Sequence, residues 1–205
     1  MCNCCNAKRT DIMESESFKK CVEFHGHICP GLSIGYKAAL EGMKRLNEER
    51  SPDEEIVAIV ETDACSADAV QVLTGCTFGK GNFIHKDHGK MVLTLFSRNS
   101  GKGVRLSMRP NMMSPNEEHS ALMQKVRSGE ATEEEKARFN ELHINRSREI
   151  LATAPQYLFD IRTVQMTPPP KAKIEPSEPC FVCGEPTMRT KLELVDDKKI
   201  CRGCL

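Results

Sequence analysis

The chain has 205 residues, and its 29 Lys and Arg are balanced by 29 Asp and Glu, so it is long enough for one ordinary core domain with a small appendage. A balanced chain has no overall attraction for nucleic acid or an anionic membrane, and its longest apolar run is too short to span a bilayer. The N-terminus lacks the apolar segment of a secretion signal. We therefore expect a cytoplasmic protein whose eleven cysteines are reduced and available for metal or redox chemistry.

Helical signals fill the first part of the chain. Ser15 or Ser17 can cap a short helix that ends at Gly26. A second helix begins at Pro30, a favourable first helical position, and runs to about Asn47. The tight loop between the two helices has the sequence HGHICPG. Three small residues of the second helix would let another element pack closely: Gly35, Ala38 and Gly42.

Strand signals follow, with one helix among them. The apolar run at 56–61 is typical of a strand buried on both faces. A helix over 67–74 follows it and is closed by Gly75. Turn residues then separate three further predicted strands, at 82–86, 91–96 and 104–108.

The rest of the predicted core is a pair of polar helices and a last strand. Pro115 begins the pair, and Gly129 separates its two helices. Thr132 with Glu135 forms a capping box for the second helix. The pattern of the segment 158–166 predicts the last strand.

Together these elements predict the α+β class, with a mixed sheet of about five strands flanked by helices. The sequence TPPP at 167–170 is a stiff linker. We therefore expect a core domain over 1–170 and a small second domain over 171–205.

The second domain carries a metal-binding pattern of two Cys-x2-Cys pairs separated by 17 residues: Cys180, Cys183, Cys201 and Cys204. This spacing indicates a zinc site, with a hairpin formed by 187–195 between the pairs. Iron in a rubredoxin-like site and four uncoordinated thiols are the alternatives. Seven basic residues nearly match six acidic ones from position 171 onward, so a structural or protein-contact role is favoured over nucleic-acid binding.

A second cluster of metal-ligand residue types lies earlier in the chain. His25, His27 and Cys29 share one loop, and Cys65 follows the first strand. Both cysteines directly precede helices, whose N-terminal potential lowers the pKa of a thiol. We expect these four residues to form a metal site with an open position, with Asp63 as an orienting group or general base.

Cys65, Asp63 and Cys76 are the candidate catalytic residues. Cys76 lies in a Gly-rich loop, 75–81, whose spacing does not fit a P-loop, and it could equally be a small buried hydrophobe. It should lie roughly 15 Å from Cys65 if a helix separates them. No role is assigned to four other histidines: His85, His88, His119 and His143. The N-terminal cysteines are interpreted as thiols without an assigned role: Cys2, Cys4 and Cys5.

Three ordered motifs resemble the signature of the family of the formylmethanofuran dehydrogenase E subunit: FHGHICPGL at 24–32, CSADAVQ at 65–71 and TGCTFGKGN at 74–82. They cover most of residues 18–97. The C-terminal module resembles the treble-clef zinc finger that some members carry. The resemblance implies a thioredoxin-like α+β core and a metal-binding active site on His27, Cys29 and Cys65, with His25 beside them.

The resemblance also implies a methanogenesis-related family, some of whose members associate with the molybdenum or tungsten enzyme that reduces carbon dioxide onto methanofuran as a formyl group. We expect a zinc-binding accessory protein or component of such an oxidoreductase. A free-standing zinc metalloenzyme or thiol redox enzyme is one alternative. A protein- or nucleic-acid-binding module acting through the finger is another. A homodimer is the default expectation for the assembly.

Overall fold

A computed structural model of the chain describes residues 11–110, 112 and 116–205. They divide into two compact units, which meet in sequence between Pro170 and Lys171. Cys2, Cys4, Cys5 and Pro115, which entered the predictions above, lie outside the described residues. None of the helices in the described segments has the length and apolarity needed to cross a membrane.

The core unit alternates helices and strands. Its elements in chain order are α1 (Glu16–His25), α2 (Pro30–Leu46), β1 (Ile56–Val60), α3 (Ser66–Thr74), β2 (Phe83–His85), β3 (Val92–Ser97), β4 (Gly103–Met108), α4 (Glu117–Ser128), α5 (Glu133–Ala152), α6 (Pro155–Leu158) and β5 (Phe159–Val164).

The first two helices begin and end where local chemistry predicts. The Ser15 hydroxyl accepts a hydrogen bond from the amide of Phe18, and Gly26 closes α1 with a φ of 95°. Cys29 caps α2 in front of Pro30, and its Sγ accepts from the amide of Leu32. The predicted helix boundaries are thus confirmed at the loop that carries the histidines.

One mixed sheet forms the centre of the core unit, in the order β2-β1-β3-β4-β5. β1 and β2 are parallel, whereas the other neighbours are antiparallel. The α+β class and the five-stranded mixed sheet are therefore confirmed, and the order of the first four strands is that of the thioredoxin-like core that the resemblance implied. Every residue of β1 is buried, as expected for a strand covered on both faces.

A close approach of α2 to α3 fixes the ends of the two helices. A Cβ atom added to Gly35 of α2 would lie 2.2 Å from the carbonyl oxygen of Ser66, the first residue of α3. One turn earlier, a Cβ on Gly31 would lie 3.1 Å from Cβ of Cys65. Glycine at these two positions therefore lets the N-terminal ends of both helices, with Cys29 and Cys65, lie side by side.

The later helices differ from the expected pair of wholly polar helices. The capping box of Thr132 and Glu135 is present at the start of α5. However, the other end of α5 buries Ile150 and Leu151 against the core, so this helix is amphipathic there. The short helix α6, which begins at Pro155, was not predicted.

The C-terminal unit consists of two hairpins and a short 3-10 turn, Arg202–Cys204. The first hairpin pairs β6 (Ser177–Pro179) with β7 (Pro186–Met188), and the second pairs β8 (Leu192–Val195) with β9 (Lys198–Cys201). The expected single hairpin over 187–195 is therefore wrong. The chain instead reverses at Asp196 and Asp197, whose positive φ angles of 47° and 60° suit a tight two-residue turn.

Candidate metal centre

The C-terminal unit brings its four cysteines to one point. The ligand atoms of Cys180, Cys183, Cys201 and Cys204 all lie within 4.8 Å of one another. Sγ of Cys183 lies 3.9 Å from Sγ of Cys201, close to the roughly 3.8 Å between two sulfurs of a tetrahedral zinc site. Hydrogen bonds from the amides of Cys201 and Cys183 lower the pKa of Cys180 to about 6, which favours a thiolate ligand.

In the core unit, three ligand residues converge where α1 ends and α2 begins. The ligand atoms of His25, His27 and Cys29 lie within 4.8 Å of one another. Sγ of Cys29 is 3.7 Å from Nε2 of His25, and the two imidazole rings have centroids 4.4 Å apart. The left-handed turn at Gly26 reverses the chain between the two histidines, so a short loop can present all three donors.

Cys65 flanks this tight set of three. A methyl group placed on Gly31 would lie 3.7 Å from Sγ of Cys65 and 3.9 Å from Sγ of Cys29, so the two sulfurs border the same glycine. Cys65 is half-buried and also interacts electrostatically with Cys29. The structure thus gathers His25, His27, Cys29 and Cys65 into one region, as a shared site would require.

Asp68 is the residue at this site that the sequence analysis missed. Its Oδ2 lies 2.7 Å from Nδ1 of His25. A carboxylate at this position orients the ring and leaves Nε2 facing Cys29, which is the usual arrangement behind a metal-binding histidine. Asp63, the expected orienting group, is exposed in the connection between β1 and α3. A signal was present in the motif CSAD, because Asp68 follows Cys65 by one helical turn.

The expected activation of Cys29 by its helix is wrong for the free thiol. Burial raises the pKa of Cys29 to about 11, and the nearby Cys65 raises it further. The hydrogen bonds from the amides of Leu32 and Gly31 act in the opposite direction but are outweighed. Cys29 is only 3% exposed, and this degree of burial was not readable from the sequence.

A cavity of about 390 Å³ opens beside the cluster. His27, Cys29 and Cys65 line it on one side, and His119 of α4 and His143 of α5 line it as well. Cavities of this size bind small molecules. The cluster is therefore accessible to a ligand, which distinguishes it from a closed structural metal site.

His119 and His143, to which the sequence analysis gave no role, form a pair at this cavity. Nε2 of His119 lies 3.0 Å from Nδ1 of His143, and His119 is only 4% exposed. Burial lowers the pKa of both histidines, assisted by the charge of Arg146 on His119 and of His119 and His27 on His143. The two positions fall at roughly mirror-related distances from the turn at Gly129, which is the signal that could have paired them.

Cys76 is not brought to the cluster. It is fully buried at the opposite end of α3 from Cys65, and its Sγ donates to the carbonyl oxygen of Ile56 at 3.3 Å. Burial raises its pKa. The Gly-rich loop around it closes on the chain: Lys80 donates to three backbone carbonyls at 51–53, and the side chain of Asn82 donates to Ile56.

Comparison with known proteins places this chain among related sequences. The sequence model of the family described as "FmdE, Molybdenum formylmethanofuran dehydrogenase operon" matches residues 24–160. The crystal structure of an FmdE-like protein of tungsten formylmethanofuran dehydrogenase, from Syntrophus aciditrophicus, superposes with a TM-score of 0.59. It is 27% identical, and the match covers 96% of this chain and 95% of that one.

A curated protein of Archaeoglobus fulgidus named "Probable S-adenosyl-L-methionine-binding protein" is 35% identical over 178 residues. The match covers 83% of this chain but only 48% of that protein, so this chain spans about half the length of its curated relative. The family match includes the histidine loop, both core cysteines of the cluster and Asp68. The resemblance noted from three short motifs is thereby confirmed, and the chain belongs to the FmdE family.

Proposed function

We propose that the core unit binds one zinc ion through His25, His27, Cys29 and Cys65 and presents it to a small ligand in the adjoining cavity. The hydrogen bond between Asp68 and Nδ1 of His25 carries this proposal, since it leaves Nε2 free beside Cys29. A structural histidine needs no such arrangement, whereas a metal-binding histidine commonly has it.

The donor set and spacing fit zinc. Imidazole and thiolate ligands together favour zinc over the hard cations, which prefer oxygen. In a tetrahedral zinc site, a nitrogen and a sulfur ligand lie about 3.6 Å apart, and the distance from Nε2 of His25 to Sγ of Cys29 is 3.7 Å. A zinc ion held here would supply Lewis-acid polarisation to a ligand in the cavity.

The protein's own residues around the cavity supply the rest of the chemistry. His119 and His143 share a hydrogen bond and can hold or pass one proton beside a ligand. Both are drawn away from bulk water, and burial favours their neutral form. This combination supports a site that binds and polarises a small molecule.

Elemental analysis of the purified full chain tests the metal proposal. The wild type should carry two zinc ions, one in each unit. His27→Ala changes an exposed ligand and should leave one ion, as should Cys65→Ala, whereas Cys76→Ala should retain two. A wild type with a single ion that is lost in Cys183→Ala would show that only the C-terminal cysteines bind metal, and the core proposal would fail.

We also propose that the protein acts as an accessory component of a molybdenum or tungsten oxidoreductase related to formylmethanofuran dehydrogenase. The family's operon description and the name of the Syntrophus aciditrophicus protein support this role. A tagged chain expressed in its native cells should then co-purify with a large pterin-dependent enzyme and should show no formyl-group redox activity alone. Purification without any partner, together with turnover by the isolated chain, would favour the free-standing metalloenzyme instead.

A further inference from the structure

The ionisable residues that line the cavity beside the core cluster are unequal in charge. Two arginines, Arg127 of α4 and Arg146 of α5, line it together with three histidines. Among the lining residues in the described part of the chain, there is no Asp or Glu. Two cysteine thiolates would be balanced by a divalent ion, which leaves the arginine charges without a counterpart inside the cavity.

Arg146 is held in place but keeps donors available. Its side chain is 28% exposed, and it donates to Glu149 at 2.8 Å and to the carbonyl oxygen of Met112 at 2.6 Å. A guanidinium has five N–H donors, so these two bonds leave three that no other described residue accepts. Its charge also contributes to lowering the pKa of His119, which places it electrostatically next to the histidine pair.

Arg127 is the second cation. It is exposed at the rim of the cavity, and none of the residues described in the structure forms an ion pair or hydrogen bond with it. Two arginines at one cavity are suited to hold a planar, bidentate anion such as a carboxylate.

The remaining lining is apolar. Met123 and Val126 of α4 and Phe139 and Ile150 of α5 line the cavity, together with Met91. Such a surface gains from burying hydrocarbon, which a small inorganic anion lacks. The combination of cations and apolar side chains therefore discriminates between an organic acid and free phosphate.

We propose that this cavity binds a small organic carboxylate, with its anionic group held by Arg127 and Arg146 and its hydrocarbon body against Met123 and Phe139. The proposal names the ligand class of the site proposed above and so rests on that function for the ligand's position beside the metal. The two arginines act independently of the metal, so binding and metal content are separable observations.

Isothermal titration of the zinc-loaded full chain tests the ligand class. The probes are hexanoate, benzoate and 4-phenylbutyrate, each compared with its alcohol, and inorganic phosphate. At least one acid should bind about tenfold or more tightly than its alcohol, since a hydrogen bond to a charged group is worth about 1.5–3 kcal/mol. Phosphate should bind more weakly than that acid. If no acid exceeds its alcohol, or if phosphate binds as tightly as the best acid, the proposal is wrong.

Arginine variants locate the anion. Arg127→Gln and Arg146→Gln should each weaken binding of the best acid about tenfold and leave binding of its alcohol unchanged. Arg148→Gln is the matched control, because Arg148 is exposed on the same helix and does not line the cavity. Arg127 has an exposed side chain, so its variant gives a result even if Arg146→Gln loses the bond to Met112 and unfolds. Unchanged acid binding in Arg127→Gln would overturn the proposed contact.

Metal content measured on the same samples separates the two proposals. Two zinc ions per chain without any preference for acids would overturn the carboxylate site and leave the metal proposal standing. One ion per chain, unchanged in His27→Ala, together with retained acid preference would overturn the metal centre alone.

Discussion

Oδ2 of Asp68 and Nδ1 of His25 lie 2.7 Å apart, and this contact links the first turn of α3 to the last residue of α1. It crosses 43 positions of sequence. The imidazole side chain is only 10% exposed, so the carboxylate restricts the ring where water has little access. The ring therefore keeps one orientation, with Nε2 towards Cys29.

Asp68→Asn should lower the affinity of the core site for zinc about 10–100-fold, because an amide orients and polarises the imidazole less well than a carboxylate. The fold should persist, since the side chain of Asp68 is about one-third exposed. Competition with a chromophoric chelator measures the affinity. The same titration on Asp63→Asn decides between the two carboxylates: we expect wild-type affinity there, and equal losses in both variants would contradict the assigned role of Asp68.

Gly35→Ala should destabilise the core unit by about 1–3 kcal/mol or more, since the added methyl group would lie 2.2 Å from the backbone carbonyl of Ser66. The strain pushes α3 from α2 and should also weaken zinc binding, because Cys65 precedes Ser66. Gly42→Ala is the matched control on the same helix. There the new methyl group meets the end of the Leu95 side chain at 2.8 Å, which can rotate away.

Urea unfolding of both glycine variants gives the comparison. Both substitutions gain roughly 1 kcal/mol of helix propensity, so their difference reports the contact alone. A Gly35→Ala protein as stable as Gly42→Ala would mean that the close approach of the two helices is not a constraint.

Glu61→Gln should lower stability at pH 7 by about 1–3 kcal/mol and lose this effect in acid. Glu61 is 8% exposed and accepts hydrogen bonds from Arg105 at 2.8 Å and His88 at 3.2 Å. Burial alone would raise its pKa, but the bonds from His88 and Arg105 outweigh burial and hold the pKa below its usual range.

The sign of the pH dependence follows from that direction. A depressed folded-state pKa stabilises the protein above the unfolded value, about 4.3, and this contribution disappears as the pH falls through the folded value. The stability difference between the wild type and Glu61→Gln should therefore be constant near neutral pH and shrink below about pH 4. Glu133→Gln, which breaks an exposed pair with Lys136, should change stability little at any pH. A difference that grows in acid would contradict the role assigned to Glu61.

The sequence predicted those features that depend on neighbouring residues. The caps at Ser15 and Gly26 and the first turn at Pro30 are local, and the structure has them where the residue types indicate. The contact of Asp68 with His25 depends instead on the packing of α3 on α2, which no local pattern encodes.

Burial was the other property that local patterns did not give. Cys29 was expected to have a lowered pKa because it precedes a helix, but its burial has the larger effect. His119 was taken for a surface or turn residue, yet the α4–α5 hairpin buries it against His143. The site thus consists of a loop that could be predicted from the sequence and a second wall that required the tertiary fold.

Removal of metal should unfold the C-terminal unit. Among residues 171–205, all of which are described, Cys180 is the only buried one, so this unit has almost no hydrophobic core. A chain segment of this size needs another source of stability, and metal binding by its four cysteines supplies it.

Cys183→Ala should therefore collapse the dispersed amide NMR signals of residues 177–201 to random-coil positions and expose this segment to protease. Val182→Ala is the control, because Val182 is exposed between the first two cysteines and offers no ligand. Chelation of the wild type should reproduce the effect of Cys183→Ala, and zinc should reverse it. Dispersed signals that persist in the chelated protein would mean that the two hairpins fold through their own strand pairing and turns, without the metal.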